Sequence, residues 1–112
     1  MKKVLCLGVL LMSFPAASFA AGFSGVVSIK TVHIEGNNFA MVIFPSAGAN
    51  PDSCGNSTEA MVEFSDTYYQ STLAVFTEAY VTGSAVQFYY VGCAATPWGY
   101  TIPHIWSVDL NP

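Results

Sequence analysis

Residues 59–90 of the chain, EAMVEFSDTYYQSTLAVFTEAYVTGSAVQFYY, contain the change of pattern that decides its fold. The segment Glu59–Phe64 alternates apolar and polar residues, as does a short β-strand with one buried face. Over Ser65–Thr82 apolar residues instead recur every three or four positions, which is typical of a helix. Strand-forming residues return over Ala85–Tyr90. We therefore predict one helix between two strands.

The predicted helix carries a capping signal at each end. Ser65 or Asp66 can accept hydrogen bonds from the first free N–H groups, and Gly83 suits the left-handed residue that ends a helix. Several β-branched residues lower the intrinsic helix propensity, so packing must hold the helix in place. The apolar face expected to provide that packing consists of Tyr69, Leu73, Phe76 and Tyr80.

Two strands are predicted before this segment. Phe23–Ile34 alternates for most of its length and is rich in Val, Ile and Thr. The turn residues Glu35–Asn38 connect it to the apolar run Phe39–Phe44, so the two form a hairpin. Pro45–Ser57 is dense in Gly, Pro, Ser and Asn and is predicted to be a loop.

The C-terminal part completes the fold prediction. Gly92–Pro97 is expected to be a loop, and Tyr100–Leu110 a last strand that Pro103 bends or confines to an edge. Three strands, one helix and two strands predict a mainly β fold. We expect a five-stranded, OB-fold-like antiparallel barrel with the helix between strands three and four. The alternative is an α+β meander with the helix packed on one face.

The first 20 residues have the pattern of a secretory signal. Lys2 and Lys3 form a basic start, and Val4–Phe14 is an apolar run too short to span a bilayer. Ser18 and Ala20 occupy the small-residue positions of a signal-peptidase site. We therefore predict a signal peptide over 1–20, a single domain over 21–112, and an exported protein, periplasmic or secreted.

Charge excludes one class of partner. The predicted mature chain keeps one lysine, Lys30, with all seven acidic residues, and the sequence contains no arginine. Formal net charge therefore changes from −4 for the whole chain to −6. Proteins that bind phosphates release counterions through clustered Lys and Arg side chains. We predict no nucleic-acid partner, no binding to anionic lipid headgroups and no stable membrane insertion.

Two cysteines remain in the predicted mature chain, Cys54 and Cys93. An even number in a small exported domain predicts a disulfide. The bond closes a loop of 38 intervening residues. The chain-entropy model values such a loop at roughly 3.5–4 kcal/mol.

Catalytic signals are weak. His33 and His104 lie far apart in sequence without a flanking motif, and no GxSxG elbow is present. Glu59 and Glu63 share one face of a short strand, where a carboxylate pair can do acid–base work, but a solvated face of an acidic protein explains them better. We predict no enzyme, no metal and no cofactor. A small hydrolase would require a histidine beside a serine or a carboxylate.

Aromatic residues point instead to binding. Six of them crowd the C-terminal end: Phe88, Tyr89, Tyr90, Trp98, Tyr100 and Trp106. Strand alternation turns one member of the pair Tyr89 and Tyr90 inward and its neighbour outward. Exposed Tyr and Trp serve protein interfaces, self-association or the apolar faces of sugar rings. A sugar does not demand charge, so an acidic protein can bind it.

Short motifs in order along the chain resemble a known family. FSGVV at Phe23–Val27 resembles the opening strand of the subtilase cytotoxin B subunit and its pertussis-like toxin relatives. Further matches are Thr82-Gly83, Phe88–Tyr90, and Trp98-Gly99-Tyr100 followed by Pro103. The resemblance covers most of the predicted mature chain.

The resemblance implies an OB-fold subunit that forms a ring of five, binds sialylated host-cell glycans and delivers a separate catalytic A subunit. Its sugar pocket corresponds to Ser24 and an outward Tyr90, and Tyr89, Trp98 and Tyr100 are further candidates. Two departures are the disulfide pairing and the missing acidic residue before the first strand. The competing hypothesis is an exported structural or protein-interaction module without a sugar site.

Overall fold

The computed structural model describes residues 20–112, and the predicted signal segment lies outside this range except for its last residue. The described chain is mainly β, with six strands and one helix. The predicted five strands are therefore wrong by one. The elements are β1 (Gly22–Val27), β2 (Thr31–Glu35), β3 (Phe39–Ile43), β4 (Glu59–Glu63), α1 (Tyr69–Thr82), β5 (Val86–Ala95) and β6 (Thr101–Leu110).

The strands form one sheet in the order β1-β5-β6-β4-β3-β2. All neighbours are antiparallel except β4 and β6, which run parallel with Met61 opposite His104. The sheet is thus mixed, whereas a purely antiparallel arrangement was predicted. Its two edge strands, β1 and β2, are consecutive along the chain.

The extra strand arises because the predicted first strand is interrupted at residues 28–30. Its first half pairs with β5, and its second half pairs with β3, so the chain changes partners between them. The Lys30 N–H already donates to the Ile43 carbonyl at 2.8 Å. Gly25 has a φ of 79°, within the irregular stretch between Phe23 and Val26. Such positive φ values favour glycine.

The helix begins later than predicted. The Asp66 carboxylate accepts the Glu63 N–H at 2.8 Å instead of capping the helix, and Tyr68 stands at the N-cap without a capping hydrogen bond from its side chain. The predicted C-cap is confirmed, since Gly83 is left-handed and its N–H donates to the Ala79 carbonyl. The buried face consists of Thr72, Phe76 and Ala79, whereas Tyr80 is exposed.

Two further corrections concern β5 and β6. The predicted loop at residues 92–97 is wrong, because β5 continues to Ala95 through the left-handed Gly92. Pro103 is fully buried in β6, a central strand, rather than at an edge. It pairs with Cys93 beside a register irregularity that begins at Tyr90. Proline has no backbone N–H to donate, and it is tolerated where the hydrogen bonds between two strands are already interrupted.

The core lies between α1 and the sheet and is dominated by Phe76, Phe88, Tyr90 and Ile105. Phe88 contacts Phe76 edge-to-face and stacks on Tyr90. The predicted disulfide is confirmed: Cys54, in the loop between β3 and β4, is bonded to Cys93, with Cα atoms 5.6 Å apart. Within residues 20–112, no helix has the length and apolarity needed to cross a membrane.

Candidate functional site

Ser24 and Tyr90, predicted for one sugar pocket, lie on the paired strands β1 and β5, where Gly22 is opposite Tyr90. Ser24 is 2% exposed and Tyr90 is 1% exposed, so the expected outward Tyr90 is not found. The Ser24 hydroxyl accepts the Phe88 N–H at 2.9 Å and donates to the Gly25 carbonyl at 2.6 Å. Burial raises the pKa of Tyr90, and the neighbouring Ser24 hydroxyl acts in the opposite direction. Ser24 and Tyr90 are therefore buried residues of the core.

Tyr89 points away from the core, as strand alternation requires when Tyr90 points inward. Its ring contacts Phe23 edge-to-face at a centroid distance of 5.0 Å. Phe23 and the nearby Val26 are exposed. Tyr89 therefore belongs to a small apolar surface on β1 and β5.

Trp98 and Tyr100 lie on a different surface, at the turn between β5 and β6. Trp98 is 46% exposed. Its ring lies edge-on to the His33 ring, with centroids 5.8 Å apart, and its centroid is 6.2 Å from that of the Tyr100 ring. Two carboxylates border these rings. Glu59 accepts the Tyr100 hydroxyl at 2.9 Å, and Glu35 contacts His33 Nε2 at 2.8 Å. We call these five residues the Trp98 face.

Hydrogen bonds within the turn hold the Trp98 face in position. The Thr96 hydroxyl donates to the Tyr100 carbonyl at 2.8 Å, and the two backbones are joined at 3.0 Å. Gly99 supplies the positive φ, 94°, that the turn requires. Burial, followed by the hydrogen bond to Glu59 and that residue's charge, raises the pKa of Tyr100. The phenol therefore stays a hydrogen-bond donor to the carboxylate at neutral pH.

A second candidate site was missed by sequence reasoning. His104 Nε2 lies 2.8 Å from Asp66 Oδ2 and 4.0 Å from Glu63 Oε1. His104 and Asp66 border a cleft of about 480 Å³ between the β4–α1 connection and β6, lined in part by Tyr68 and Trp106. We call it the His104 cleft. Burial and the charges of Asp66 and Glu63 raise the pKa of Tyr68 to about 12.

The two histidines bear on the hydrolase alternative. His33 lies beside Glu35, and His104 lies beside Asp66 in a cleft. A histidine next to a carboxylate, the arrangement that this alternative required, is therefore present twice. The spacing of residues 63, 66 and 104 gives no motif, since their approach depends on the parallel pairing of β4 with β6.

Comparisons with known proteins do not assign the chain to a family. No protein-family model matches the chain, and no curated protein matches its sequence. The resemblance to toxin B subunits therefore stays a prediction, and the function is inferred from the geometry of the site.

Proposed function

We propose that the protein binds carbohydrate through the Trp98 face. The observation that carries this proposal is the half-exposed Trp98, whose ring is flanked by His33 and Tyr100, each of which contacts a glutamate carboxylate. An exposed indole offers an apolar surface for the C–H face of a sugar ring. Carboxylate oxygens accept hydrogen bonds from sugar hydroxyls, and hydrogen bonds to a charged acceptor are the stronger ones.

Charge favours a neutral sugar over the sialylated glycan that the family resemblance implies. Glu35 and Glu59 border the Trp98 face, and Lys30 is the only lysine or arginine in the described residues. A sialic acid carboxylate placed beside these two glutamates meets like charges, which disfavours binding. The Trp98 face thus fits a neutral hexose better.

The proposed fold is an OB-fold barrel in which β1 and β2 are two halves of one bent strand. The strand order supports this, because the edge strands of the sheet are consecutive and only three residues separate them. A bend at residues 28–30 would close the barrel without a separate connection. The helix between β4 and β5 then corresponds to the one predicted between strands three and four.

The proposed setting is an exported B-subunit-like protein that forms a ring of five and delivers a catalytic A subunit. This part rests on the family resemblance. The exposed Phe23, Val26 and Ile34 on the edge strands are suited to contacts between subunits. Light scattering on a sizing column tests it: a pentamer supports the ring, whereas a monomer at all concentrations removes the toxin analogy.

The sugar proposal is tested on an array of neutral and sialylated glycans. Trp98→Ala should abolish binding, and Trp106→Ala is the matched control, since Trp106 is 58% exposed but lies outside the Trp98 face. Binding that survives Trp98→Ala would contradict the assignment. No binding to any glycan would favour the alternative of a protein-interaction module, for which the exposed apolar side chains of the edge strands are suited. Preference for sialylated glycans would overturn the charge argument alone.

A further inference from the structure

We propose that Glu63, Asp66 and His104 form a binding site for a divalent transition-metal ion, with Zn²⁺ as the best fit. The proposal is independent of the Trp98 face, with which this site shares no residue. The three side chains come from the end of β4, the connection to α1, and β6. One possible ligand atom of each lies within 4.8 Å of the others.

The distances are close to those of a metal centre. Ligand atoms at about 2.0–2.2 Å from zinc in a tetrahedral site lie roughly 3.3–3.6 Å from one another. The observed separations from His104 Nε2 are 2.8 Å to Asp66 Oδ2 and 4.0 Å to Glu63 Oε1. Both distances need to change by little more than half an ångström, on the order of a small side-chain rotation. All three side chains are partly accessible to solvent.

The surroundings orient the ligands. The Glu63 N–H donates to Asp66 Oδ2 at 2.8 Å, which fixes that carboxylate toward His104. Met61 is opposite His104 across the parallel strands, so the end of β4 is held beside the imidazole. Outer hydrogen bonds of this kind position metal ligands and contribute to affinity.

Charge and the cleft favour a bound cation with an open position. Two carboxylates and a neutral imidazole together carry two negative charges, which a divalent ion balances. Lys30, the only lysine or arginine in residues 20–112, precedes the edge strand β2 and is not among the residues that line the His104 cleft. Imidazole favours zinc and its transition-metal neighbours over Mg²⁺ and Ca²⁺, which prefer oxygen ligands. Three protein ligands leave a fourth position for water, and two of them, Asp66 and His104, line the cleft.

Calorimetric titration of ZnCl₂ into the oxidised, chelator-treated protein tests the site. Where the full chain is used, it carries Cys6→Ser, because the free thiol of Cys6 in the predicted signal segment can itself bind zinc. We expect one zinc ion per chain and no comparable heat from MgCl₂. Glu63→Gln and His104→Gln should each weaken binding by at least about tenfold. The matched control is His33→Gln, which removes a histidine that contacts only one carboxylate, Glu35.

A second measurement keeps the test valid if a variant folds poorly. In the wild-type protein, zinc should shift the ring signals of His104, but not those of His33, in NMR spectra. Absence of saturable binding would overturn the proposal, as would equal affinity in all three variants. A loss of affinity in His33→Gln as large as that in His104→Gln would show non-specific surface binding and would also overturn it.

Discussion

Tyr90 and Trp98 were predicted for the same sugar-binding role, but the structure gives them opposite environments. Tyr90 stacks on Phe88 in the core and is 1% exposed, whereas Trp98 stands on a turn and is 46% exposed. Both belong to β5 or its following turn, only eight positions apart. The difference shows that an aromatic residue near a site serves binding only where strand direction and pairing leave its ring accessible.

Tyr90→Ala should have the largest effect on stability, and it tests whether Tyr90 is a core residue. The substitution removes a buried ring from the main core cluster, and we expect the free energy of unfolding to fall by about 3–5 kcal/mol. Urea denaturation followed by circular dichroism measures it. A loss below about 1 kcal/mol would contradict the core role and return Tyr90 to the surface candidates.

Ser24→Ala should give the next largest effect. It leaves the buried Phe88 N–H without its acceptor, which costs about 1–3 kcal/mol of unfolding free energy. The exposed Ser28 on the same segment offers a control, and Ser28→Ala should stay within about 0.5 kcal/mol of wild type. Equal stabilities of the two variants would remove the structural role assigned to Ser24.

Alkaline pH separates Tyr90 from surface phenols. Its pKa in the folded protein is raised above the usual value of 10.0 by burial, so the unfolded chain loses the phenol proton first. The stability that this group contributes is complete below pH 10 and is lost as the pH rises toward the raised value. Denaturation series above and below pH 10 should show this fall, and Tyr90→Phe should reduce it. An unchanged slope in Tyr90→Phe would assign the pH dependence to other groups.

Of the two aromatic substitutions, Trp98→Ala should have the smaller effect on stability. The half-exposed ring makes edge contacts with His33 and Phe39 and a tilted contact with Tyr100, so the free energy of unfolding should fall by less than about 1 kcal/mol. Urea denaturation of this variant beside Tyr90→Ala places the two residues on one scale. Similar losses in both variants would erase the contrast between core and surface.

Local features of the fold were predictable from sequence, and long-range ones were not. The helix Tyr69–Thr82, its Gly83 cap and the disulfide follow from neighbouring residues and a cysteine count. The break at residues 28–30 depends on partners elsewhere in the chain, so an alternating pattern appeared as one strand. Pro103 in a central strand and the approach of His104 to Asp66 likewise depend on register.

For the same reason, only part of the Trp98 face could be predicted from the sequence. Trp98 and Tyr100 stand out by composition near a turn, and both lie on that face. Their neighbours Glu59 and His33 come from β4 and β2, and their approach follows from sheet order. The sequence around a glutamate on a short strand does not indicate which tyrosine hydroxyl will donate a hydrogen bond to it.

The pairing of β1 with β5 also has a consequence for the order of folding. Gly22 is opposite Tyr90, so the first strand cannot find its partner until nearly the whole chain is present. Contacts so distant in sequence close slowly, because loop-closure entropy must be overcome first. The local hairpin of β2 and β3 can form much earlier. During that interval β5 presents an unpaired edge, and we expect nascent or refolding chains to be most prone to aggregation there.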